Sequence, residues 1–143
     1  MKTSINGINL VKKHEGLKLV SYKDQGGVLT IGYGHTGPDV HQYTVWTQAQ
    51  ADEALAKDLE FAEHAIETLV TSSVNQNQFD ALVDFIYNLG AGNFQSSTLL
   101  KLINVHQYEA ASQQFSHWDY CNHVENKGLL TRRIDEATLF SFH

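Results

Sequence analysis

The stretch Glu15–Thr36, EGLKLVSYKDQGGVLTIGYGHT, changes its period in mid-course. Just before it, Ile5, Ile8 and Val11 recur at helical spacing, and Ser4 or Asn6 can cap a first helix. Gly16 suits the position past that helix's end, which puts Glu15 in or beside the last turn. From Leu19 the pattern is extended. Leu19-Val20-Ser21-Tyr22 and Val28-Leu29-Thr30-Ile31 are β-prone runs separated by Gly26-Gly27, a hairpin signal. Asp24 then closes the first strand, and Thr30 lies inside the second. Glu15, Asp24 and Thr30 follow one another at nine and then six positions, a spacing that can bring two carboxylates and a hydroxyl together.

Such a pair has a use in glycoside hydrolysis. One carboxylic acid protonates the leaving oxygen, and a second carboxylate activates water or attacks the sugar. The partial negative charge at a helix carboxyl end disfavours an anion, so it moves Glu15 toward the protonated state that a general acid needs. Plainer readings stay open for each residue alone. Glu15 is equally a surface carboxylate, Asp24 a turn residue accepting backbone hydrogen bonds, and Thr30 a structural strand residue. In Gly32-Tyr33-Gly34-His35 the two glycines mark close backbone approach or unusual torsions. His35 reads as a structural imidazole tied to a carboxylate such as Asp58, with a catalytic role as the alternative.

Further along, Gly37-Pro38 breaks the chain and Tyr43-Thr44-Val45-Trp46 suggests a third strand. Thr47 to Gln50 forms a capping box, and the apolar stripe from Ala51 to Leu69 predicts one helix of roughly six turns. Asn75 and Gly90 bound another strongly apolar helix that carries Phe79, Leu82, Val83, Ile86 and Leu89. Ser97 caps a short helix with Leu99, Leu100, Leu102 and Ile103, and a further one is expected around Tyr108–Phe115. Trp118 reads as a core plug and residues 121–127 as a polar loop. Gly128 opens a final helix with Ile134, Ala137 and Phe140 or Leu139 inward. Adjacent Arg132 and Arg133 point about 100° apart on that helix, so they serve different partners. One is expected to reach Glu15 or Asp24, the other a surface group such as Glu136.

With 143 residues, 42% hydrophobic and 18% charged, the chain fits one folded domain with a real core. Its single cysteine, Cys121, excludes an internal disulfide and a cysteine metal cluster, and reads as a partly buried thiol. The eight histidines show neither an i, i+4 pair nor HExxH, which leaves a metal reading weak. A net charge of −6 argues against nucleic acid or anionic lipid as partners. No signal peptide and no membrane span is evident, so stable membrane insertion is not expected and synthesis belongs to a cytoplasm.

Taken together, Glu15-x8-Asp24-x5-Thr30 followed by Gly32-Tyr33-Gly34-His35 resembles the catalytic signature of phage-type lysozymes, the endolysin muramidases of glycoside hydrolase family 24. Residues 81–90 (ALVDFIYNLG), 97–100 (STLL) and 128–133 (GLLTRR), with Glu136 after them, resemble the same family. The resemblance implies an α+β, lysozyme-like fold over residues 1–143. It has a small lobe with a short antiparallel sheet (roughly 13–50), a long connecting helix, and a mainly helical lobe (60–143) that includes the N-terminal helix, with the cleft between lobes. It further implies hydrolysis of the β-1,4 bond between N-acetylmuramic acid and N-acetylglucosamine in bacterial peptidoglycan, leading to host lysis. Glu15 would be the general acid, Asp24 the water-orienting base and Thr30 the water-holding hydroxyl. Tyr33, Gly34, Tyr87, Asn88 and Arg132 would contact substrate, without cofactor or metal. A monomer, made in the host cytoplasm and reaching the periplasm through a holin lesion, is the expected form. A lytic transglycosylase giving anhydro products, or a non-catalytic peptidoglycan-binding module, are the alternatives.

Overall fold

The computed structural model describes residues 1–121 and 124–142. The expected burial of the Cys121 thiol, the middle of the 121–127 loop, and His123 and His143 lie outside the described residues. The chain forms two compact units, one from Val11 to Glu60 and one from Met1–Leu10 with Phe61–His143. Helix α1, Ile5–Glu15, starts in the second of these and ends in the first. Gly16 stops it as expected, with φ 72° and its N–H on the Lys12 carbonyl at 3.0 Å. Ser4 stands at the helix start, but its hydroxyl donates to the Asp80 carboxylate.

In the Val11–Glu60 unit, strands β1 (Lys18–Lys23) and β2 (Leu29–Gly32) pair antiparallel, with Tyr22 opposite Thr30 and Lys23 opposite Leu29. The five residues from Asp24 to Val28 make the hairpin loop, closed by Asp24 N–H to Val28 C=O at 2.9 Å. The expected third strand shrinks to one bridge, Val20 opposite Val45, because Tyr43 takes φ 67° and turns the chain. Helix α2, Gln48–Asp58, opens on the capping box Thr47/Gln50. It packs Ala51 and Leu55 with Val11, Ile31, Tyr33, Val40 and Leu59 as this unit's buried apolar set. A Cβ on Gly32, which sits at φ 69°, would lie 3.1 Å from the Trp46 ring, so the turn out of β2 needs glycine twice over.

The single long helix expected over 51–69 is two helices, α2 and then α3, Glu60–Leu69. The parting residue is Leu59, whose ψ opens to −14° while φ stays at −76°. No glycine or proline marks the spot. The apolar stripe continues through it, which is why period alone joins the two.

In the other unit, α4 (Gln76–Leu89) begins on the Asn75/Gln78 capping box and ends at Gly90, φ 91°. Every residue from Gln78 to Ile86 is buried, so this is the central helix of its core. Around it come α5 (Ala91–Ser96), α6 (Thr98–Asn104) capped by Ser97, and α7 (Tyr108–Ser112). A 3-10 turn (Phe115–His117) follows, then the two-residue strands β3 (Tyr120–Cys121) and β4 (Val124–Glu125), and α8 (Lys127–Ser141) capped by Asn126. Phe85 meets Phe94, Phe115 and the half-buried Trp118 edge-on at 5.7–6.1 Å, so Trp118 does plug the core. Edge-to-face packing of this kind adds about 0.5–1.5 kcal/mol per pair beyond area burial.

Helix α8 departs from its expected orientation. Ile134 is 50% exposed, whereas Arg132, Arg133, Glu136 and Phe140 face the interior. The inward stripe of α8 is ionic for most of its length because α4 presents a buried carboxylate, Asp84, to it.

Candidate active site

Glu15 is half-buried as the last residue of α1. The same turn carries Lys12, Lys13 and His14. Lys12 is committed elsewhere: its Nζ lies 2.9 Å from Asp52 and 5.2 Å from the Tyr33 ring centre. The bond to Asp52 holds the Lys12 pKa above its ordinary value and that of Asp52 below.

Asp24 directly follows β1 and is exposed. Its Oδ1 accepts the N–H groups of Gly26 (2.8 Å) and Val28 (2.9 Å), which fixes the carboxylate plane from within the loop and leaves Oδ2 outside those two bonds. Gly26-Gly27 lets the chain fold back over that oxygen, with Gly27 at φ 81°. The turn-residue reading of Asp24 therefore describes half of the side chain. Thr30 is buried in β2, and its Oγ1 donates to the Val28 carbonyl at 2.9 Å. With its own proton so engaged, that hydroxyl can only accept from any further partner. Asp24 and Thr30 are thus two acceptors tied to one loop, both through Val28.

Tyr33 is buried, its hydroxyl accepting Gln48 Nε2 at 3.0 Å, and Gly34 is half-buried at φ 84°. His35 is held between two carboxylates. Nδ1 is 2.6 Å from Asp58 Oδ2, as expected, and Nε2 is 3.0 Å from Asp39 Oδ2, which the sequence reading missed although the i, i+4 spacing signals it. Burial favours the neutral ring, but the two carboxylates outweigh it and raise the His35 pKa. The same contact lowers Asp39.

Tyr87, Asn88 and Arg132 lie in the other unit. Tyr87 is half-buried with its ring 6.4 Å from Phe61, and Asn88 accepts Arg133 Nη2 at 2.8 Å. Arg132 is 5% exposed and donates both Nε (2.9 Å) and Nη2 (2.7 Å) to Asp84. Arg133 takes Glu136 as expected, Nη2 to Oε2 at 2.9 Å, but Glu136 is fully buried rather than at the surface. Burial, and then the hydrogen bond to Asp84, push the Glu136 carboxyl well above its usual range, against the pull of Arg133. Burial raises Asp84 too, yet the bonds from Glu136 and Arg132 outweigh it and hold Asp84 low. Of the two, Glu136 is the one whose proton the fold holds more tightly. Among the described residues no group of three His, Cys, Asp or Glu side chains is arranged to hold a metal.

Solved structures define the class. The chain matches a mutant of P22 lysozyme with a TM-score of 0.92 at 40% identity, covering 98% of each chain. It matches the muramidase domain of SpmX from Asticaccaulis excentricus with a TM-score of 0.92 at 34% identity, covering 99% of each. The fold is α+β and lysozyme-like. In sequence it is 40% identical to the endolysin of Salmonella phage P22 over 98% of both chains. It is also 40% identical to the endolysin of Bacillus phage B103, covering 98% of this chain and 54% of that one. The chain thus spans about half the length of the Bacillus phage endolysins that it matches. A SAR-endolysin of Bacteriophage PS119 is 40% identical over 83% of this chain and 71% of its own length. A family model described as Phage lysozyme matches residues 12–136, and the chain belongs to that family.

Proposed function

We propose that this chain is an endolysin muramidase, cleaving the β-1,4 bond between N-acetylmuramic acid and N-acetylglucosamine in peptidoglycan. Glu15 donates a proton to the leaving oxygen, Asp24 orients and deprotonates water, and Thr30 holds that water. The observation that carries the reading is the pairing of acceptors on the hairpin loop. A water that gives one hydrogen to Asp24 and the other to Thr30 Oγ1 keeps a lone pair free for attack. Two acceptors on one water suit direct displacement, so we infer inversion at the anomeric carbon. Tyr33, Gly34, Tyr87, Asn88 and Arg132 are proposed to shape or line the sugar site, Arg132 through Asp84 rather than as a free cation. No described helix is long and apolar enough to cross a membrane. Release to the wall is proposed to depend on a lesion opened by another protein, a holin, with the enzyme acting as a monomer.

The test is product analysis of purified peptidoglycan digested by the wild type, Glu15→Gln and Asp24→Asn. Reducing N-acetylmuramic acid ends from the wild type, and loss of nearly all rate in both variants, are expected. Anhydro ends with an active Asp24→Asn would make the chain a transglycosylase, and binding without release would make it a wall-binding module. Proton NMR of the fresh products reads inversion directly, as the α-anomer appearing first.

A further inference from the structure

Arg133 and Glu136 are fully buried on α8, and the proposed chemistry uses neither. Their side chains lie one turn apart and meet twice, Nη2 to Oε2 at 2.9 Å and Nε to Oε1 at 2.7 Å. The Phe85 ring of α4 sits 5.4 Å from Arg133 Cζ. Replacing a buried ion pair by apolar side chains of similar volume is often neutral or stabilising, so core packing alone does not require one here. The guanidinium makes one further hydrogen bond, from Nη2 to Asn88 Oδ1 at 2.8 Å, in the last turn of α4. That bond decides how the amide is turned. An arginine offers only N–H donors, so the atom of Asn88 that faces it must be the oxygen, and the NH2 group occupies the other branch of the amide. Asn88 is half-buried, and its Nδ2 donates to no other described residue. A free asparagine can turn either atom toward a partner. This one has only donor hydrogens left to offer.

We propose that Arg133, gripped by Glu136, is a positioning residue that locks the Asn88 amide so that it offers the bound sugar N–H donors and no acceptor. The inference rests on the muramidase reading, in which Asn88 lines the sugar site. Sugar hydroxyls both donate and accept, and acetamido carbonyls only accept, so an amide free to turn would bind in more than one register. Locked, it pairs only with an oxygen that accepts. The orientation is also set before the sugar arrives, which removes the cost of fixing it on binding. The buried pair on α8 thereby has a use at the site that its contribution to stability would not reveal.

The experiment is a double-mutant cycle on Asn88→Asp and Arg133→Lys, read as affinity for soluble glycan fragments of purified peptidoglycan by calorimetry. Glu15→Gln is the background throughout, so that cleavage does not blur binding. Asn88→Asp keeps an oxygen toward Arg133 and replaces only the NH2 group. It is expected to melt at the same or a higher temperature and to bind about tenfold more weakly, the scale of one lost hydrogen bond. Unchanged affinity overturns the proposal. Arg133→Lys keeps a cation for Glu136 but gives up the two-armed reach to Asn88, so the amide can turn. In that background the penalty of Asn88→Asp should shrink to about threefold, because the donor is no longer fixed. A penalty that stays the same makes Arg133 purely structural and overturns the lock. Where Arg133→Lys does not fold, a neutron structure of the Glu15→Gln chain decides: both amide deuterons of Asn88 are expected on the atom turned away from Arg133, and deuterons on the facing atom overturn the proposal. Failure of the muramidase reading is seen separately, as a wild type that releases no fragments, and leaves the neutron result to decide the lock.

Discussion

Asp24 in the hairpin loop and Asp84 in α4 are both held by hydrogen bonds, but at different depths and by different donors. Asp24 is exposed and its donors are the neutral N–H groups of Gly26 and Val28. Asp84 is fully buried and is held by the Arg132 guanidinium, through Nε and Nη2, and by the Glu136 carboxyl. A carboxylate bound by backbone amides keeps its net charge and its place, which suits a group meant to take a proton. One bound by a guanidinium is neutralised as a pair and becomes part of the scaffold. In this molecule the fully buried carboxyls mark construction, and the candidate chemistry sits on carboxyls nearer the surface.

The sharpest way to break that contrast is to remove the charge from each side in turn. Asp24→Asn and Glu15→Gln should lower the rate on peptidoglycan by about 10²–10⁴, the usual worth of a general acid or base, and leave the melting midpoint almost unmoved. Asp84→Asn should do the reverse. Taking one partner from a buried pair costs about 3–5 kcal/mol, seen as a lowered denaturant midpoint, while the rate per folded molecule falls far less than in Asp24→Asn, the loss coming only through Arg132 at the sugar site. If Asp84→Asn abolishes rate without moving the midpoint, the division of labour is wrong.

His35 tests the middle ground. Its pKa is raised in the fold by Asp58 and Asp39, so its contribution is complete below the unfolded value of about 6.5 and is lost as pH rises through the higher folded value. His35→Asn should therefore be less stable than wild type by about 1.5–3 kcal/mol at pH 5.5, the worth of charged hydrogen bonds, with the gap narrowing toward pH 9. A gap independent of pH would mean that packing against Trp46, 5.3 Å away, is what matters.

The smallest expected effect is at Glu136. Its folded pKa is raised, so the native state holds a proton that the unfolded chain releases above about pH 4.3, and the group's stabilising contribution falls as pH rises from there. Glu136→Gln keeps the hydrogen-bonding shape without the ionisation. It should flatten the pH dependence of stability above pH 4.5, measured by thermal melts, and change stability little below pH 4.

What could be read in advance divides along the range of the interaction. Gly16, Gly26-Gly27, Thr47/Gln50 and Asn75/Gly90 act within four or five residues, and each did what local chemistry dictates. The position of Glu15 at a helix end and of Asp24 after a strand followed from those signals, and the His35–Asp58 pair from asking which carboxylate could reach. Three things did not follow. The parting of α2 from α3 at Leu59 has no breaker residue, since a few tens of degrees in one ψ are decided by packing. The exposure of Ile134 inverts the rule that apolar residues face inward, because the partners of Arg132 and Arg133 on α4 lie some 45–48 positions away. The third strand failed on one torsion, at Tyr43, that no residue preference announces.

The order of the two units along the chain has a bearing on synthesis. Residues 11–60 form a contiguous stretch and can pair β1 with β2 as soon as both have left the ribosome. The first ten residues belong to the other unit, where Ser4 hydrogen-bonds Asp80 and a Cβ on Gly7 would meet Asp80 at 2.8 Å. Their seat does not exist until α4 has been made, more than sixty residues later. The beginning of the chain is therefore among the last parts to settle, and until then α1 is a helix waiting for half of its neighbours.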